Sequence, residues 1–70
     1  MKAHIQIHYT YNGVSAMQQG SFYIKRSIPY TAYEWIEEIR KTFPGMEIEQ
    51  VVGNGEDITD EVRGISNEKI

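Results

Sequence analysis

Two places in this 70-residue chain bring chemistry-bearing side chains close together: "GNGEDITDE", residues 53–61, and the histidine pair of "HIQIH", residues 4–8. A phosphate loop would run its glycines into Gly-Lys-Ser/Thr at a helix start, and a dinucleotide fingerprint would add a third glycine within a βαβ unit. Here Gly53 and Gly55 lead into acids, which repel phosphate. A calcium loop of the EF-hand type needs alternating oxygen ligands over about twelve residues beside a helix. Asn54, Glu56, Asp57 and Asp60 have neither that spacing nor that frame. The stretch reads as a turn, with Asn54-Gly55 supplying the positive φ that a tight hairpin demands.

His4 and His8 alternate with apolar residues, so both belong to one face of a strand, about 13 Å apart at a rise of about 3.3 Å per residue. One metal ion cannot bridge that gap, and the chain has no cysteine to complete a zinc set. The reading is no metal, no cofactor and two histidines on an open sheet face. Catalysis lacks a constellation as well. Ser15, Ser21, Ser27 and Ser66 stand in no arguable spacing to a histidine and an acid, and Asp60-Glu61 is more simply a solvated edge. A non-enzymatic protein without a small-molecule substrate is expected.

The elements that must position these residues follow from periodicity. Ile5, Ile7, Tyr9 and Tyr11 alternate with His4, Gln6, His8 and Thr10, which describes a half-buried strand. Asn12-Gly13 suits a two-residue hairpin turn. The returning strand then sets Val14 against Tyr11 and Ala16 against Tyr9, with Phe22 and Ile24 toward the core and Met17 and Tyr23 outward. An irregularity is expected near Gln18 to Gly20, where glycine interrupts the pattern.

Ala32, Trp35, Ile36, Ile39 and Phe43 form the apolar stripe of a helix. Thr31 and Glu34 have capping-box spacing for its start, and Pro44-Gly45 ends it. Trp35 is the largest side chain of that stripe. Beyond it, "MEIEQVV" alternates, with Met46, Ile48 and Val52 toward the core. "DITDEV" is a short strand or a helical turn capped by Asp57 or Thr59. From Gly64 onward no pattern remains.

The fold class is therefore α+β: a two-layer β-β-α-β(-β) domain with one helix packed on one face of a small, mainly antiparallel sheet. Residues 1–63 form the domain and residues 64–70 a loose C-terminal tail. With no apolar run of membrane-spanning length and no signal-peptide pattern, a cytoplasmic protein of a bacterial or phage-like genome is expected.

Charge divides along the chain. Lys2, Lys25 and Arg26 give residues 1–33 a net charge of +3, whereas residues 34–70 carry −6, together the −3 of the whole. The first half is also rich in aromatic residues, and open sheets bearing basic and aromatic side chains bind nucleic acid. His4, His8, Tyr23, Lys25 and Arg26 are the candidates for such contacts. Three basic residues are few, however, and most of the rings are better used in a core. Association with a protein partner, or with itself through an open sheet face or edge, is the preferred reading. Its candidate residues are Met17, Tyr23, Glu34, Glu37 and Glu38, with nucleic-acid binding or acidic inhibition of a nucleic-acid-binding protein as the alternatives.

Overall fold

In the computed structural model, which describes residues 1–68, the alternation of the first segment becomes β1 (Lys2–Tyr11). Ala3, Ile5, Ile7 and Tyr9 are buried, while the even residues face the other way. Asn12 (φ 52°) and Gly13 (φ 78°) make the turn with both residues in the left-handed region, as a two-residue hairpin of matching twist requires. β2 (Val14–Tyr23) returns antiparallel, in unbroken register from Tyr11 opposite Val14 to Lys2 opposite Tyr23.

No irregularity occurs at Gln18 to Gly20. Gly20 serves packing instead: a Cβ there would lie 3.3 Å from Phe22 Cε2 and 3.8 Å from Trp35 Cη2. Its absence leaves room for the Phe22 and Trp35 rings to approach to 4.7 Å between centroids.

α1 (Ile28–Thr42) starts earlier than the Thr31 cap anticipates. Ser27 is the N-cap, and its hydroxyl accepts from the Tyr30 N–H at 3.2 Å. Pro29 is tolerated in the first turn, where its missing N–H would have had no intrahelical partner. Thr31 lies inside the helix and donates its hydroxyl to the Ser27 carbonyl at 3.1 Å. At the far end Phe43 caps the helix with its N–H on the Ile39 carbonyl, and Gly45 turns the chain at φ 87°.

β3 (Glu47–Gly53) pairs antiparallel with the other side of β1. Here the pairing does slip: His8 faces Gln50 but Tyr9 faces Ile48, so Glu49 is the extra residue of a β-bulge. The bulge changes the phase of the strand. Met46 is buried and Ile48 packs on the core before the bulge, and Val51 is fully buried after it. Val52, assigned to the core by strict alternation, lies instead on the opposite face beside Gln6.

The Asn54-Gly55 turn repeats the first one, with φ of 50° and 81°, and leads to the two-residue β4 (Glu56–Asp57). Asn54 also extends the sheet. Its backbone N–H donates to the His4 carbonyl and its Oδ1 accepts from the His4 N–H, each at 2.8 Å.

The chain then forms α2 (Thr59–Glu68), where only a strand or a single turn and a loose tail are expected from the sequence. Residues 64–68 are helical; residues 69–70 lie outside the described part. The start of α2 is fixed by side chains. Asp57 Oδ1 accepts from both the N–H (2.9 Å) and the hydroxyl (2.6 Å) of Thr59, and that hydroxyl in turn accepts from the Val51 N–H at 2.9 Å. Ile58 and Val62 are thereby seated in the core.

The Thr59 bonds, followed by Gln50, hold the Asp57 carboxyl below the ordinary aspartate value of 3.8. A depressed carboxyl adds stability that is complete above its unfolded pKa and is lost as the pH falls through its folded value. Wild type is therefore expected to exceed Asp57→Ala in urea midpoint at neutral pH, and the gap should close below about pH 4. A gap that is unchanged in acid would contradict this.

The sheet order is β2-β1-β3-β4 with every neighbouring pair antiparallel. β2 and β3 both flank β1, so they run parallel to each other and α1 makes the crossover between them. Ile36 and Ile39 of α1 and Val62 of α2 share one core with Ile5, Ile7 and Val51. Both helices therefore cover one face of the sheet, in the two-layer α+β arrangement, and among the described residues no element covers the other face.

Candidate protein-interaction surface

Alternation fixes what the open face presents: Lys2, His4, Gln6, His8 and Thr10 from β1, and Ser15, Met17, Gln19, Ser21 and Tyr23 from β2. His4 Nε2 lies 3.0 Å from Gln19 Oε1, and His8 stands between Met17 and Gln50 in the cross-strand pairs. The bulge turns Glu49 onto this face, where its Oε1 accepts from the Thr10 hydroxyl and lies 3.5 Å from Ser15 Oγ. Among the described residues no three His, Cys, Asp or Glu side chains come close enough to hold a metal ion.

Of the four large hydrophobic residues exposed in the described part, three lie on β2: Val14 (66%), Met17 (43%) and Tyr23 (76%). β2 is also an edge strand, since β1 occupies only one of its sides. Which of its backbone groups are free follows from the hairpin. In a two-residue hairpin the residues flanking the turn form a hydrogen-bonded pair, so even-numbered residues of β2 bond to β1. The Ile24 N–H, donating to the Met1 carbonyl at 2.8 Å, continues that series. The N–H and C=O groups of Ser15, Met17, Gln19, Ser21 and Tyr23 therefore point outward along the free edge.

Natural sheets protect such an edge with charges, proline, bulges or a covering element. "VSAMQQGSFY" contains no charge and no proline, and its register is unbroken over ten residues. The opposite edge is different in kind. β4 is only two residues long and leads straight into α2.

The sequence-selected residues fall into separate groups. Met17 and Tyr23 share the open face and edge of β2, whereas Glu37 and Glu38 lie on α1 in the other layer. There they pair with Arg40 at 3.2 Å and Lys41 at 3.1 Å. Glu34 joins Tyr23, Lys25, Arg26 and Tyr30 around a shallow depression at the end of β2. Two cations rest on rings there: Lys2 Nζ lies 5.6 Å from the centre of Tyr23, and Arg26 Cζ 3.9 Å from that of Tyr30. His4 and His8 share a face with Tyr23, but Lys25 and Arg26 belong to the connection into α1.

Comparison with protein-family models, with curated proteins and with solved structures finds no match for this chain. Sequence reasoning missed Ser15, Gln19 and Ser21 as edge residues, although the lack of charge in residues 14–23 was a legible signal. Glu49 could not be placed, because the bulge that turns it is set by pairing with β1. No helix among the described residues is long and apolar enough to cross a membrane.

Proposed function

We propose that this domain is a non-enzymatic protein-interaction module that takes up its partner by strand addition along β2. The observation that carries the reading is the undefended edge: ten regular residues, uncharged, with exposed Val14, Met17 and Tyr23 beside outward-facing backbone groups. Backbone hydrogen bonds would supply affinity, and the alternating side chains of the open face would supply selectivity. The basic and aromatic end of β2 also suits a nucleic-acid strand, but Glu49 shares the open face and counts against a phosphate backbone.

Met17→Pro tests the reading. Proline removes the Met17 N–H, which faces the free edge, and so leaves the ladder to β1 intact. The variant should retain its far-ultraviolet circular dichroism and melt within about 8 °C of wild type, the equivalent of about 1 kcal/mol in a domain this small. Immobilised wild-type domain should capture a partner from the native cell extract that the variant does not. Equal capture by both, or none by either together with no self-association of wild type, would remove strand addition as the function.

A further inference from the structure

We infer that the partner seated on β2 is a second copy of this chain, paired antiparallel through the same strand to give one continuous eight-stranded sheet. The inference rests on the strand-addition reading and adds the identity of the partner, for which the register and the charge layout supply the argument.

In an antiparallel pair, residues directly opposite each other share a face. A two-fold axis through Gln19 matches all the outward groups at once: Gln19 meets its own copy, Met17 meets Ser21 and Ser15 meets Tyr23. This register uses each of the free residues and forms about ten backbone hydrogen bonds. A shift of the axis onto Gln18 leaves Tyr23 beyond the strand ends. The same register sets exposed Val14 opposite the half-buried Ile24 of the other copy.

Charge favours this self-pairing over random collapse. β2 itself is neutral, but its two ends differ: Glu49 sits against Ser15 near the hairpin tip, and Lys2 rests on Tyr23 at the other end, with Lys25 and Arg26 just beyond. Because Ser15 of one copy meets Tyr23 of the other, each carboxylate faces the basic end of its partner, twice per dimer. A parallel pairing would place like ends together.

The area suits a weak, reversible dimer. A strip about 33 Å long and about 10 Å deep on each copy buries roughly 660 Å² in total, the size of a transient interface. Assembly should thus depend on concentration.

Sedimentation equilibrium on the full chain is the test, combined with amide exchange. The average mass should rise from 8.1 kDa toward twice that value between about 10 μM and about 1 mM. Over the same range the amides of Met17, Gln19 and Ser21 should gain protection at least tenfold, while those of Gln18 and Gly20, already bonded to β1, should not. Glu49→Lys and Lys2→Glu should each weaken association about tenfold at low salt, and the double reversal should restore it. A mass of 8.1 kDa at about 1 mM would overturn the dimer, as would association without protection of the odd-numbered amides. A monomer that still captures another protein through its β2 edge would leave strand addition standing and remove only the self-pairing.

Discussion

Replacing Ile7 by alanine is expected to cost about 2–5 kcal/mol of folding stability, the usual range for emptying a fully buried aliphatic site. Ile7 is 0% exposed at the centre of β1, the strand paired on both sides, and it shares the core with Ile36, Ile39 and Val51. No neighbouring segment can collapse into the space without breaking one of those ladders. A domain of this length is stable by roughly 3.5–10 kcal/mol at the usual 0.05–0.15 kcal/mol per residue. The variant should therefore be substantially unfolded at room temperature or melt far below wild type. His8→Ala is the matched control. It lies one residue away on the open face, and its stability should change by less than about 1 kcal/mol. A loss below about 1 kcal/mol for Ile7→Ala in urea titration would mean that the core does not centre on β1.

That expectation moves the weight of the core from the helix to the sheet. Trp35 is the largest member of the α1 stripe, yet it is only partly buried, at the margin of the layer against Phe22. The largest fully buried side chains are Ile5, Ile7 and Val51, all in strands, whereas the one α1 residue buried as completely is the small Ala32. The sequence showed the alternation that buries the first two, because a two-fold period in β1 survives any choice of partner. It could not show Val51, whose facing depends on the bulge at Glu49. A bulge is a property of two strands in register, and the doublet Val51-Val52 suits either phase.

The helices were legible to different degrees for a similar reason. α1 carries its own apolar stripe and its own stop at Pro44-Gly45, so only its start was displaced: "SIPY" hides an N-cap because proline inside a helix usually reads as a boundary. α2 contributes Val62 to the core but has no extended stripe, and Gly64 weakens its intrinsic propensity. Its position depends on Thr59 holding Val51 and on Asp57 holding Thr59, contacts that exist only once β3 is in place. The candidate interface followed the same division. Met17 and Tyr23 were exposed by the period of the hairpin alone, whereas the free edge needed the strand order to be known.

Two glycines separated by one residue provide the sharpest test of this packing. Gly53 and Gly55 both belong to "GNGEDITDE", and substitution should destabilise both for unrelated reasons. At Gly53 the backbone is outside the left-handed region, but an added Cβ would lie 2.6 Å from Ile28 Cγ2 and 3.1 Å from Ile58 Cδ1. Gly53→Ala is therefore an overpacking substitution, with a cost of about 1–3 kcal/mol. At Gly55 a Cβ meets nothing within 4 Å, yet φ is 81°. Gly55→Ala should cost about 1–2 kcal/mol through backbone strain, and Gly55→Val more because its branched Cβ resists that region further. Ile28→Leu separates the two causes, since leucine moves the branch from Cβ to Cγ and removes the methyl that the new Cβ at position 53 would strike. In a double-mutant cycle, Ile28→Leu should recover about 1 kcal/mol or more of the Gly53→Ala loss and none of the Gly55→Ala loss. Equal coupling to both positions would show that the turn and the helix start move as one unit, and that Ile28 and Ile58 do not close over a bare Cα at the end of β3.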